Sequence, residues 1–289
     1  MHEVRRKNAH PASIHIEKRS RRPERQSLIM ERLSKARIKF IQSLQHKKFR
    51  LKYDKFILEG LKINTELIRE KKNIIEAIYF SNPDHSSILE NIISPDLLCL
   101  IAPQEMHQIS QMTTPPGILS VCRLPVPDEV PQDISGMKIF YLDAIRDPGN
   151  LGTIFRIADW FGLDFVICSP DCVDIYNHKV LQSSMGSALR IKHCEMTNEE
   201  LLLRATDHLY ICDAGGKSIY SMKTPEEGII VFGNESLGVS GELMHKVKEV
   251  IAIPGERSKG AESLNVASAA AVVASWWTIS KQQGAEDID

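Results

Sequence analysis

The chain has 289 residues, of which 43% are hydrophobic and 6% aromatic, as is typical of a globular protein with a hydrophobic core. No segment approaches the run of about 20 apolar residues that a membrane-spanning helix needs, so we expect no membrane partner. The net charge of −1 conceals an uneven division, because residues 1–72 contain 21 Lys and Arg against 8 Asp and Glu. This basic N-terminal part favours a polyanionic partner, although a solvated helix face would explain it equally well.

The six cysteines form no Cys-x-x-Cys pair, and no histidine pair lies at zinc-ligand spacing from them. We therefore predict buried, reduced, structural thiols and no metal site. The first residues are basic but no apolar stretch follows them, so no secretory signal is predicted. A cytoplasmic location is expected.

In chain order, residues 1–29 lack a hydrophobic period and are predicted to be a disordered basic tail, with Met30 as a second candidate start. From Ser34, apolar residues recur at helical spacing and indicate a helix. Strands are predicted at residues 56–58, 75–80, 97–101 and 118–121, and further helices at about residues 61–68 and 87–93. These elements predict a small α/β domain over residues 30–123. The proline-rich residues 124–136 cannot hold a helix and are predicted to be a linker.

The second half alternates strand and helix patterns. Strands are predicted at residues 138–142, 165–168, 189–192, 209–212, 229–232 and 250–253, and helices at residues 151–161, 199–205, 241–247 and 264–280. Fully apolar strands are typical of a parallel sheet that is buried on both faces. We therefore predict an α/β domain over residues 137–280, followed by a tail at residues 281–289. Ligands of such domains bind at the carboxyl ends of the strands.

Three glycine-containing motifs do not fit known nucleotide or hydrolase sites. Residues 214–218 resemble the end of a phosphate loop, but the required earlier glycine would fall at Ile211, so a hairpin turn is predicted. No Gly-x-Gly-x-x-Gly follows a strand, which argues against dinucleotide enzymes and the common Rossmann methyltransferases. Residues 238–241 lack the spacing of a nucleophile elbow, and Ser240 is predicted to cap the following helix instead.

Polar residues follow three of the predicted strands. Asn150 and Arg156 lie at the start of a helix and could project into one cleft, although a turn with a capping Asn explains them more simply. Gly233 and Glu235 follow a buried strand, where a glycine lets the backbone approach a ligand closely. After Ile253-Pro254 and a polar loop, Ser263-Leu264-Asn265 opens an apolar helix rich in small residues, and Ser263 or Asn265 could simply cap it.

Together, these three segments resemble the SpoU (TrmH) branch of the SPOUT-class RNA methyltransferases over about residues 137–280. The N-terminal unit resembles that family's ribosomal-protein-like substrate-binding domain. That resemblance rests on residues 35–40, 47–50, 56–60 and 113–117. The loop before Leu264 departs from the family, because it is longer and Gly255 replaces the usual hydrophobic residue.

The resemblance implies a C-terminal domain with a trefoil knot, S-adenosylmethionine as cofactor, and a homodimer whose two subunits complete each active site. The apolar helix that ends in Trp276-Trp277 suggests the self-association surface. Cofactor contacts are expected from Gly233, Ile253, Leu264 and Asn265, catalytic roles for Arg156, Asn150, Glu235, Ser263 and Asn265, and RNA contacts for Lys35, Arg37, Lys47, Lys48 and Arg50.

The implied reaction is methylation of a ribose 2′-hydroxyl, in ribosomal RNA rather than transfer RNA. Arginine is a poor base because its pKa is above about 12, so we assign Arg156 first to the RNA phosphate and the developing alkoxide. A base role assisted by the substrate phosphate remains the alternative. Methylation of transfer RNA, methylation of a base, and a non-catalytic RNA-binding or ribosome-assembly factor on the same fold also remain open.

Overall fold

The computed structural model describes residues 30–205, 208–247, 249–256, 260 and 263–286. The predicted disordered tail at residues 1–29 lies outside the described residues. Within the described part of the chain, no helix is long and apolar enough to cross a membrane.

The N-terminal unit is a four-stranded sheet covered by five helices. Its elements are α1 (Lys35–Ser43), α2 (Lys47–Tyr53), β1 (Lys55–Glu59), α3 (Leu61–Lys71), β2 (Ile75–Phe80), α4 (Asp84–Leu89), β3 (Leu98–Leu100), α5 (Pro103–Ile109) and β4 (Ile118–Arg123). The sheet order is β1-β4-β2-β3, with β2 and β3 parallel and the other pairs antiparallel. The central strand β4 is buried through its first five residues, because helices cover both faces of the sheet.

The C-terminal unit is a six-stranded, fully parallel sheet in the order β10-β8-β9-β5-β6-β7. Its elements are β5 (Lys138–Leu142), α6 (Pro148–Phe161), β6 (Phe165–Cys168), α7 (His178–Ser183), α8 (Ser187–Arg190), β7 (His193–Glu195), α9 (Asn198–Ala205), β8 (Leu209–Ser218), β9 (Gly228–Phe232), α10 (Gly241–Lys246), β10 (Glu249–Ala252) and α11 (Val266–Glu286). Every residue of β5, β6 and β9 is buried. The fully apolar strands therefore have the double-sided burial that their sequences predict.

One strand prediction, one turn prediction and one predicted helix end were wrong. The apolar residues near Leu189 belong to the short helix α8, and the strand begins later, at His193. A short apolar run does not distinguish a buried helical turn from a strand. Residues 214–218 form no hairpin but continue β8, where Gly216 lies against the backbone of β10; an added Cβ would be 2.7 Å from the Ile251 backbone. The last helix also continues to Glu286 instead of ending at residue 280.

Polar and aromatic contacts join the two units. The rings of Phe56 and Tyr176 have centroids 4.9 Å apart. The Arg190 guanidinium in α8 donates to Glu66 of α3 at 2.9 Å and to Asp159 of α6 at 2.6 Å. One hydrophobic core runs from β1 and α3 into α6, α7 and α8. The two units are thus packed against each other and are not joined by the proline-rich segment alone.

Candidate active site

A cavity of about 610 Å³ opens beyond the carboxyl ends of β9 and β10 and beside the middle of β8. Its walls come from residues 212–214, from the loop after β9, from residues 253–256 after β10 and from the start of α11. The sequence-predicted residues that line it are Gly233, Glu235, Ile253, Ser263, Leu264 and Asn265. The structure therefore brings two of the three predicted strand-end segments to the wall of one cavity.

The third segment reaches this cavity through hydrogen bonds of Asn150. The Asn150 side-chain Nδ2 donates to Glu235 Oε1 at 2.8 Å, and Asn150 Oδ1 accepts from Asn265 Nδ2 at 3.0 Å. A single amide side chain thus connects α6, the loop after β9 and the start of α11. These three residues, from distant parts of the sequence, form one polar network at the cavity rim.

The residue that caps α6 is not Asn150, as the simplest interpretation of the sequence suggests. Asp147, followed by Pro148, is the N-cap of α6, and its Oδ1 accepts from the Asn150 backbone N–H at 2.8 Å. The Asn150 side chain is therefore free of capping and can bond across the cavity rim. Asn265 does cap α11, because its Oδ1 accepts from the backbone N–H of Ala267 at 2.9 Å. Its amide nitrogen still reaches Asn150, so capping and site geometry coexist in one residue.

The loop after β9 is held in a tight turn. The backbone of Asn234 exchanges two hydrogen bonds with Gly238, of 3.0 and 2.9 Å. This turn passes so close to Gly233 that an added Cβ would lie 2.3 Å from Gly238 C and Val239 N. A glycine is thus needed at position 233 because the protein's own backbone lies against it, whereas the sequence suggested close approach of a ligand. The turn presents Glu235 at the cavity.

Two residues that the sequence did not suggest connect the loops after β5 and β9. Asn234 Nδ2 donates to the Ala144 carbonyl at 2.8 Å, and the buried Asp143 carboxylate accepts from the Ser240 backbone N–H at 2.7 Å. Ser240 occupies the predicted N-cap of α10, but its side chain makes no capping bond. Their positions in the sequence could have indicated them, since Asp143 follows β5 directly and Asn234 follows Gly233.

Arg156 lies outside the cavity wall. It is on α6, six residues after Asn150, and its side chain is exposed and makes no ion pair or hydrogen bond with the described residues. In an α-helix, six residues correspond to about 9 Å along the axis and about 120° between side-chain directions. Arg156 and Asn150 therefore face different surroundings within one chain.

The five predicted RNA-contacting residues divide into two groups. Lys35, Lys47 and Lys48 are exposed and Arg37 is partly exposed. Arg50 is 4% exposed; it forms a close ion pair with Asp174 and donates to the carbonyls of Leu44 and Gln45. The expectation that Arg50 contacts RNA was therefore wrong, because its guanidinium is ion-paired and hydrogen-bonded inside the protein.

The described cavity wall carries carboxylates and an uncharged thiol. Asp213, Glu235 and Glu256 are among its residues, and the described wall contains no Lys, Arg or His. Burial, with a smaller contribution from the Asp213 carboxylate, raises the pKa of the Cys212 thiol to about 12. Cys212 is thus neutral at physiological pH. No group of three or more His, Cys, Asp or Glu among the described residues could hold a metal ion.

Comparisons with known proteins match both units. Residues 137–275 match the model of the SpoU rRNA Methylase family, and residues 35–120 match the MRM3-like substrate binding domain. RlmP of Bacillus subtilis, a 23S rRNA (guanosine(2553)-2′-O)-methyltransferase, is 28% identical over 250 residues, which cover 84% of this chain and 96% of RlmP. Human mitochondrial rRNA methyltransferase 3 is 23% identical over 288 residues, covering 78% of this chain and 67% of that protein.

Solved structures show the same architecture. A TrmH-family protein from Porphyromonas gingivalis superimposes with a TM-score of 0.75 at 29% identity, covering 86% of this chain and all of that one. The SpoU methyltransferase AviRb from Streptomyces viridochromogenes, solved with AdoMet, has the same fold, with a TM-score of 0.74 at 18% identity over 86% of this chain and 99% of AviRb. The chain therefore contains a SpoU rRNA Methylase family domain at residues 137–275 and an MRM3-like substrate-binding domain at residues 35–120.

Proposed function

We propose that this protein transfers the methyl group of S-adenosylmethionine to a ribose 2′-hydroxyl of ribosomal RNA. The observation that carries the proposal is the hydrogen-bonded network of Asn150, Glu235 and Asn265 at the rim of one cavity. The 2′-O-methyltransferase name of RlmP, which matches most of this chain, supports the reaction and the RNA class.

The cavity fits S-adenosylmethionine in size and charge. Its volume of about 610 Å³ falls within the range of about 300–1,000 Å³ that is usual for small-molecule sites. When bound, the cofactor supplies an activated methyl group on a positively charged sulfonium. The carboxylates of Asp213 and Glu235 favour a cation, and backbone groups of Gly233, Ile253 and Leu264 would hold the rest of the cofactor.

The protein's own task is to align the ribose and to stabilise the 2′-oxygen as it loses its proton. Asn150, fixed between Glu235 and Asn265, would orient the ribose. Arg156 would contact the RNA phosphate and the developing alkoxide as a fixed cation. Ser263, exposed at the cavity wall, would complete the pocket on the RNA side.

A homodimer is part of the proposal, because Arg156 is not among the residues that line the cavity of its own chain. One turn further along α6, Trp160 is 83% exposed, and Leu237 and Leu264 near the cavity are 78% and 54% exposed. Exposed apolar side chains around a site indicate a surface that another molecule covers. A second copy would bring its Arg156 to this cavity. Trp277, expected on that surface, is instead fully buried against Phe140.

The division of labour between the units is also proposed. Residues 30–123 would form a ribosomal-protein-like domain that contacts RNA through Lys35, Arg37, Lys47 and Lys48, and residues 124–136 would link it to the methylase domain. We further propose that the chain within residues 137–280 forms a trefoil knot, and that the protein is cytoplasmic. Buried thiols such as Cys122 and Cys168 are typical of a reducing compartment.

Mapping ribose methylation in total RNA tests the proposed function. A strain without the gene should lack one or more 2′-O-methyl groups in ribosomal RNA, and the intact gene, but not its Arg156→Ala variant, should restore them. A change confined to transfer RNA, or to methylated bases, would contradict the substrate or the reaction. If the methylation pattern is unchanged and calorimetry detects no binding of S-adenosylmethionine, the protein is a non-catalytic RNA-binding factor.

A further inference from the structure

Aromatic side chains form a continuous row along α1 and α2, on the opposite unit from the cofactor cavity. The row, which we call the aromatic row, consists of Phe40, His46, Phe49 and Tyr53. Phe40 meets Tyr53 edge to face with centroids 5.2 Å apart, and Phe49 is stacked on Tyr53 at 6.1 Å with an interplanar angle of 13°. His46 continues the row at 6.3 Å from Phe49.

Cations lie against the rings of this row. The Arg37 guanidinium is 5.2 Å from the Phe40 centroid, the Lys48 ammonium 4.9 Å from Phe49 and the Lys52 ammonium 5.4 Å from Tyr53. Residues 34–53 contain seven Lys and Arg and no Asp or Glu. Of these seven, Arg50 pairs with Asp174 and Lys47 lies 3.9 Å from the Glu195 carboxylate, so five positive charges have no ion pair among the described residues.

The row is open to solvent at α2. Tyr53 is 37% exposed and Leu51, on the same short helix, is 63% exposed. The Tyr53 hydroxyl makes no hydrogen bond with any residue that the structure describes. Apolar side chains of α2 therefore remain partly exposed to solvent, although their burial would be favourable.

We propose that the aromatic row binds unpaired nucleotides of the RNA substrate, whose bases stack on Tyr53 and Phe49 while Lys47, Lys48 and Lys52 contact their phosphates. The inference rests on the proposed function and adds to it the kind of RNA that the N-terminal unit recognises. Aromatic rings with interleaved cations are the usual means of binding single strands, because every base has a face that can stack. In duplex RNA the bases are already stacked on one another and cannot reach a ring.

Fluorescence anisotropy with the full chain tests this inference. The probe is a labelled 12-nucleotide RNA without secondary structure, compared with the same strand in a duplex. Tyr53→Leu keeps an apolar side chain but removes the stacking ring. Its affinity for the unpaired probe should fall on the order of tenfold, with an unchanged salt slope. The matched control Tyr220→Leu removes a tyrosine that is 67% exposed on the other unit and should bind as the wild type does.

A lysine variant separates stacking from charge. Lys48→Gln should lower the slope of log affinity against log salt by about 0.7, the value for one phosphate contact on a single strand. The inference is overturned if Tyr53→Leu and Tyr220→Leu bind the unpaired probe equally, or if Tyr53→Leu weakens duplex binding by the same factor. Because α2 contributes little core, Tyr53→Leu should keep the wild-type melting temperature. Phe49→Leu provides the second test of the same row.

The two proposals fail in distinguishable ways. If the wild type methylates ribosomal RNA while Tyr53→Leu shows no loss of binding, only the aromatic row is refuted. If the wild type neither binds S-adenosylmethionine nor transfers methyl groups, yet Tyr53→Leu loses affinity for the unpaired probe, the row is supported and the proposed enzyme is refuted.

Discussion

Replacement of Gly233 by alanine should disable the cofactor cavity without touching any cofactor-facing side chain. The added Cβ would lie 2.3 Å from Gly238 C, 2.3 Å from Val239 N and 2.5 Å from Gly238 O. Ordinary contacts at such an atom are 3.4–4 Å. All three neighbours are backbone atoms, so no side chain can rotate away. The turn that carries Glu235 must therefore retreat by about 1 Å, a displacement that packed structures resist.

The energetic consequence follows from the hydrogen bonds of that turn. Its retreat breaks the two backbone bonds between Asn234 and Gly238. Each backbone hydrogen bond contributes about 0.5–1.5 kcal/mol net, so their loss costs about 1–3 kcal/mol. If the native turn must be restored when the cofactor binds, this cost appears in the dissociation constant. At about 1.4 kcal/mol per factor of ten, affinity for S-adenosylmethionine should fall on the order of 10- to 100-fold.

Isothermal calorimetry with S-adenosylmethionine measures this loss. The matched control is Gly255→Ala, because Gly255 also lines the cavity but an added Cβ there meets nothing within 4 Å. The control should bind within a few-fold of the wild type. Thermal unfolding should confirm that both variants remain folded at the assay temperature. Wild-type affinity in folded Gly233→Ala would refute the dependence of the cavity on this turn.

Three further replacements test the site, the dimer and the interface between the units. Arg156→Ala should abolish methyl transfer and leave cofactor affinity within a few-fold. A mixture of Arg156→Ala with Gly233→Ala should recover activity, because a mixed dimer contains one site with an intact cavity and an intact Arg156. Near-normal turnover of Arg156→Ala alone would make Arg156 a surface charge. Trp160→Glu should give a monomer by light scattering, whereas Leu203→Glu, at a side chain 81% exposed elsewhere, should not; a monomeric wild type would refute the dimer. Arg50→Ala should lower the free energy of unfolding in urea by about 3 kcal/mol, because it removes the buried partner of Asp174, whose side chain is only 16% exposed. Lys47→Ala should change the free energy of unfolding by less than about 0.5 kcal/mol; equal effects would contradict the structural role of Arg50.

The strand-end segments were predictable because they depend on local patterns. Buried parallel strands are uniformly apolar, and the polar residues that follow them mark the carboxyl edge of the sheet. Asn150, Glu235 and Asn265 therefore stood out before their contacts were known. The cap of α6 was interpreted wrongly as Asn150, although a proline at the first helical position, Pro148, indicates that Asp147 is the N-cap.

The misassigned residues depend on contacts between distant parts of the chain. Arg50 is one of several basic residues on α2, and only its partner Asp174, 124 positions away, distinguishes it from Lys47 and Lys48. Trp277 was expected at the surface, but its ring packs on Phe140 and its indole N–H donates to the Pro225 carbonyl at 2.9 Å. Sequence periodicity gives a helix its apolar face, but it does not tell whether the core or a second subunit covers that face.

The central claim, transfer of a methyl group to a ribose 2′-oxygen, is tested most directly by the position of the transferred label. Purified protein is incubated with radiolabelled S-adenosylmethionine and ribosomal RNA from a strain that lacks the gene, and the product RNA is hydrolysed in alkali. A ribose without a free 2′-hydroxyl protects its phosphodiester, so the label should be recovered in alkali-resistant dinucleotides, and Arg156→Ala should give none. Label in mononucleotides, or no transfer to any RNA, would contradict the account.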